Sequence, residues 1–101
     1  MSGSPSGGVL EPVWLVEATY APDAAETRVP FRAEHLAGVR ERLASGVYVE
    51  AGAFADVSAS VILVRAETAE AALELVRDDV YMRHGVWVEV RARAFGRVTQ
   101  A

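Results

Sequence analysis

The sequence predicts an α+β fold in the order β-α-β-β-α-β, the ferredoxin-like split βαβ unit. Three observations carry that prediction. Residues 86–95 alternate between two faces, as a half-buried strand does. An apolar stripe of helical period crosses 31–45 and stops at a glycine. Strand-like segments at 47–53 and 59–66 are separated by a loop of hairpin length.

Met1 to Gly8 (MSGSPSGG) is rich in Ser, Gly and Pro, the composition of a disordered leader or a cloning remnant, ahead of a single domain over 9–101. Val13 to Tyr20 (VWLVEATY) is β-branched and aromatic and stops at Ala21-Pro22-Asp23, so the first strand is expected there. Phe31 to Ser45 reads as a helix. Leu36, Val39 and Leu43 recur at i, i+3 and i+7, and Gly46 is a natural stop. Thr27 is the expected N-cap, and Pro30 is tolerable because it falls in the first turn.

Val47 to Ala53 alternates as a second strand, Ala59 to Ala66 is a more buried third, and Phe54 to Ser58 joins them. Thr68 opens a second helix with Ala72, Leu75, Val76 and Val80 on its apolar side, running to His84 before Gly85. On the last strand Val86, Val88, Val90, Ala92 and Ala94 form a small apolar face suited to packed helices. Trp87 and Phe95, with Trp14 or Tyr20, fall on the opposite face, which is too much aromatic surface to leave in water. A second protomer is the expected cover, so a homodimer is expected.

Composition removes many chemistries. The 101 residues suit one domain, and 51% apolar with 24% charged residues is ordinary globular composition. No apolar run approaches the ~18–20 residues of a membrane span, and Met1 to Gly8 lacks the features of a secretory signal. The expectation is a cytoplasmic protein with no membrane partner. There is no Cys, which excludes disulfides, thiolate catalysis and sulfur-ligated metals. There is no Lys either, which removes Schiff-base chemistry and a Walker lysine. Two histidines are too few for a three-His metal site, and no nucleotide-binding or nucleophile-elbow motif occurs, so neither metal nor cofactor is expected. A net charge of -4 argues against nucleic acid.

The strongest constellation is Arg28-x3-Arg32-x2-His35-Leu36 on the first helix. Arg32 and His35 are i, i+3 neighbours that can converge on one ligand. The bland alternative for Arg32 is an ion pair with Glu17, Glu50 or Glu89. His35 lies about 75° from the stripe centre, at the helix boundary, where a structural role is the ordinary one. With a carboxylate beside it, the same His is an acid–base device. Asp56, in the loop after the second strand, is the first candidate; its bland role is a turn with Ser58. Asp79 is the rival, near a helix C-terminus that disfavours it unless a partner compensates. His84 suits the last helical turn, where a cation complements the dipole.

Arg28-x3-Arg32-x2-His35-Leu36, Ala51-Gly52-Ala53 with Ala55-Asp56, Asp78-Asp79-Val80-Tyr81 and Gly85-Val86 together resemble the YCII-related family over about Val13 to Val98. Ala53 and Val80 stand where that family usually has Pro. The resemblance implies a dimeric α+β barrel of ferredoxin-like protomers, shared with muconolactone isomerases and small cofactor-free monooxygenases. It implies a site built on a His and an Asp, carried across as His35 and Asp56, with Arg32, Asp79 and Tyr81 on the substrate side.

Two functions from different classes follow. One is an enzyme moving a proton through His35 and Asp56 in isomerisation, lactone chemistry or elimination, including dehalogenation, on a small anionic molecule held by Arg32. The other is a non-catalytic ligand-binding or accessory homodimer, whose mark would be a pocket in which His35 and Asp56 do not meet. A pure interaction module would leave no cavity at all.

Overall fold

The structure is a computed structural model and describes residues 10–100. The expected leader over Met1 to Gly8 lies outside the described residues. Four strands, β1 (Leu10–Tyr20), β2 (Tyr48–Ala53), β3 (Ala59–Val64) and β4 (Trp87–Val98), form one antiparallel sheet in the order β2-β3-β1-β4. That is the strand order of the ferredoxin-like unit. The helices α1 (Ala24–Thr27), α2 (Arg32–Ser45), α3 (Ala69–Arg77) and α4 (Val80–Arg83) fill the two crossovers, with a 3₁₀ turn at Val29–Phe31. Among the described residues no helix is long and apolar enough to cross a membrane.

The first helical segment begins differently from the expectation. Thr27 does not cap the long helix; it ends the short α1, and α2 starts at Arg32 after the 3₁₀ turn that holds Pro30. A proline lacks the N–H an α-helix interior needs, so the chain spends it in a tight turn. Gly46 ends α2 with φ 85, the left-handed C-cap that glycine adopts without penalty.

The second helix is also broken. Thr68 caps α3 by accepting the Ala71 N–H at 3.0 Å, as the sequence suggests. At Asp79 the backbone turns extended (φ -67, ψ 144), and its carboxylate caps α4 by accepting the Tyr81 N–H at 2.9 Å. Asp79 therefore sits at a helix N-terminus, where a carboxylate is favoured, and not at the C-terminus its sequence position implied.

The largest correction concerns β4. Tyr20 pairs with Trp87 but Thr19 pairs with Glu89, so a bulge absorbs Val88 and shifts the alternation. Trp87 turns under the helices at 1% exposure, while Val88 is 54% exposed. Tyr20 is buried on the helix side, and Trp14 is half-buried with its indole N–H donating to the Ala66 carbonyl. Of the aromatic residues assigned to the uncovered face, Phe95 alone is exposed. Leu15, Glu17, Val61, Leu63, Arg91 and Arg93 stand on that face instead, as their cross-strand pairing requires. The core between sheet and helices is built on Val16, Ala18, Tyr20, Ile62, Val64, Val76 and Trp87.

Candidate active site

His35 projects from the first turns of α2 toward the break between α3 and α4. Its Nδ1 stands 2.9 Å from both carboxylate oxygens of Asp79. Both side chains are nearly enclosed, at 11% and 3% exposure, so solvent screens the contact little. Asp79 is held from the other side by the Tyr81 N–H. The imidazole stacks on the Tyr81 ring (3.8 Å between centroids, 8° between planes) and meets Trp87 edge-on at 5.3 Å. Three different contacts therefore fix the orientation of one ring. With a carboxylate on Nδ1, the neutral imidazole carries its proton there, and Nε2 on the opposite edge is left basic.

A cavity of about 200 Å³ lies in front of the ring. Arg28, Arg32, His35, Tyr81 and Trp87 line its polar side; Leu36, Val39 and Ile62 form its apolar side, and Ala51, Gly52 and Ala53 close it along β2. Ala51 and Ala53 pair with Ile62 and Ser60, so their methyl groups share the helix-side face of the sheet. Asp79 lies behind the imidazole, against a separate polar groove that includes Glu34, Arg42, Asp78 and Arg83. The Tyr81 hydroxyl is pushed up from the ordinary phenol range by burial, and the Arg28 and Arg32 guanidiniums act against that shift. The Tyr81 hydroxyl and the Trp87 indole N–H are both buried without a hydrogen-bond partner among the described residues. Among those residues no group of three or more metal-ligating side chains comes together.

The residues singled out in the sequence separate into two places. His35, Tyr81 and Arg32 line the cavity, with Asp79 behind the His35 ring. Asp56 does not. It is exposed, and its carboxylate accepts the Ser58 N–H at 3.0 Å; the Ser58 hydroxyl first, and that N–H after it, hold the carboxyl below its usual range. That bond supports a turn in which Val57 takes φ 57, a costly conformation for a β-branched residue. Within the protomer the His35–Asp56 pair is thus replaced by His35–Asp79. Arg32 also departs from its bland alternative: Glu17 and Glu89 pair with Arg91, and Arg32 is exposed with no ion pair among the described residues. His84 follows α4 and stacks on Phe31 at 4.2 Å, away from the cavity.

The sequence reading turns Trp87 to the wrong face of the sheet, because the bulge is hidden in the alternation. Arg28 belongs to the constellation that the sequence singles out, without a role of its own there, and the structure sets it on the cavity wall with Arg32.

A model of the YCII-related domain matches residues 13–96. The chain belongs to the YCII-related domain family. A search of curated proteins found no match. Among solved structures, the protein resembles the 5-chloro-2-hydroxyhydroquinone dehydrochlorinase of Burkholderia phenoliruptrix AC1100, solved in complex with 2,5-dihydroxybenzoquinone. The TM-score is 0.70 at 16% identity, over 82% of this chain and 92% of that one. At that identity the match establishes a common fold.

Proposed function

We propose that this YCII-related protein is an acid–base enzyme in which the His35–Asp79 pair moves a proton on a small anionic molecule bound in the cavity. The observation that carries the proposal is the 2.9 Å contact of His35 Nδ1 with a buried carboxylate, on a ring that also lines the cavity. Asp79 orients the imidazole and stabilises its protonated form; Nε2 accepts or returns the proton. Arg32 holds the anionic group. The separation of His35 from Asp56 is the mark expected of a binding-only protein. Asp79 removes its force, because it supplies the same charge at hydrogen-bond distance.

Elimination is the reaction type we favour, by analogy with the structural neighbour. In that step Nε2 takes a proton from the substrate, the freed electron pair forms a double bond, and halide leaves, so one HCl is lost per turnover. The step needs a base and an anion site, the roles this reading gives to His35 and Arg32. Chloride release from a panel of chlorinated hydroquinones, followed with an ion-selective electrode, tests it. Release by the wild type that is absent in His35→Gln supports the assignment; equal release by both would sink it.

The proposal includes a homodimer closed over the uncovered sheet face. Leu15, Val61 and Leu63 present apolar surface there, flanked by the Glu17–Arg91 pair at 3.3 Å. Light scattering is expected to give twice the 10.8 kDa chain mass at micromolar concentration. Leu63→Glu, which sets a charge against that face, is expected to halve the mass without unfolding the protomer. A wild-type mass of one chain would remove the dimer from the proposal.

A further inference from the structure

We propose that Arg28 and Arg32 act together as a two-guanidinium clamp, which selects a single-ring ligand carrying two negative charges. This rests on the reading of the His35 cavity as the ligand site and extends it to the class of ligand.

Both arginines line that cavity, and neither has a hydrogen bond or ion pair from its side chain among the described residues. Of the other eight arginines, Arg42, Arg65, Arg77, Arg83, Arg91 and Arg97 each pair with a carboxylate, and the two that pair with none among the described residues, Arg40 and Arg93, lie outside this cavity. On a protein of net charge -4, acidic partners are plentiful, yet no Asp or Glu lines this cavity. Two guanidiniums that share a wall repel each other, and a monoanion relieves that repulsion only in part. A ligand with two anionic groups removes it.

The spacing of the two cations is built into the backbone. Arg28 is the C-cap of α1, with its N–H bonded to the Ala24 carbonyl; Arg32 opens α2; and the 3₁₀ turn between them contains Pro30. Proline fixes one φ and stiffens the link, so the pair is presented with little freedom to lose on binding. Size narrows the class. A benzene molecule fits a cavity of ~150 Å³, so about 200 Å³ has room for one ring with small substituents.

The test is isothermal titration with benzene-1,3-dicarboxylate, benzoate and phenol at fixed ionic strength. The wild type is expected to bind the dicarboxylate about tenfold more tightly than benzoate, one charge-assisted contact's worth, and phenol more weakly than either. Arg28→Gln should erase the preference by weakening the dicarboxylate, and Arg28→Lys should restore part of it. Circular dichroism is expected to be unchanged, since the Arg28 side chain makes no hydrogen bond or ion pair among the described residues. Equal affinity for the two anions in the wild type, or an equal loss of both in Arg28→Gln, would overturn the clamp. His35→Gln separates this from the enzymatic reading: it should keep the dicarboxylate preference while ending chloride release. A preference present in a protein that turns over no substrate leaves the clamp and removes the chemistry. Turnover with no preference does the reverse.

Discussion

His35→Gln is expected to lower turnover by about 10²–10⁴-fold, the usual worth of a positioned general acid or base. Asp79 should be needed almost as much, but for two separable reasons, because one carboxylate serves both the imidazole and the α4 N-terminus. Asp79→Asn keeps an oxygen for the Tyr81 N–H and for Nδ1. It removes only the charge that stabilises the imidazolium, so turnover falls while the melting temperature stays near wild type. Asp79→Ala removes the cap, worth about 1 kcal/mol, and leaves the enclosed Nδ1–H without its partner, a further ~1–3 kcal/mol. The sum of about 2–4 kcal/mol is a large part of the ~5–15 kcal/mol that holds a domain together. In a chain of this size each kcal/mol moves the midpoint by about 4–8 °C. Thermal melts beside chloride-release rates therefore separate the roles. An Asn variant with wild-type turnover would show that Asp79 is only a cap.

The pairing of His35 with Asp79 explains what local sequence reading can and cannot find. The two residues are 44 positions apart and meet only because α2 packs beside the break at Asp78–Asp79. The hydrophobic periods of 31–45, 59–66 and 86–95 are local, and they were enough to read the element order and the sheet architecture. The helix ends with local chemistry were legible too: Thr68 as a cap, and Gly46 and Gly85 as left-handed stops. Asp79 was not, because Asp-Asp is compatible with a continuing helix and its capping geometry appears only once the chain turns extended. Asp56 had the opposite fate. Its local signal, a turn with Ser58, was correct; the family spacing that assigned it to His35 was not matched within the protomer.

Trp87→Ala is expected to cost about 3–5 kcal/mol, the range for removing a buried aromatic side chain. The size of this effect depends on the bulge at Val88. In the unshifted alternation Trp87 faces outward and Val88 inward; in the structure Trp87 is 1% exposed and Val88 54%. Val88→Ala should therefore move stability by no more than about 0.5 kcal/mol, as exposed positions do. The Trp87 ring contacts Tyr20, His35 and Tyr81, so its loss leaves a void behind the imidazole as well as in the core. Trp87→Phe refines the point. The smaller ring loses some packing, but it also removes an N–H buried without a partner, a relief of about 1–3 kcal/mol that offsets much of the lost contact. Phe at 87 should thus stay within about 1–2 kcal/mol of wild type, far closer than Ala. Urea unfolding of the three variants checks the ordering. If Val88→Ala proves as damaging as Trp87→Ala, β4 lacks the bulge, and the aromatic face turns back toward the sheet's uncovered side.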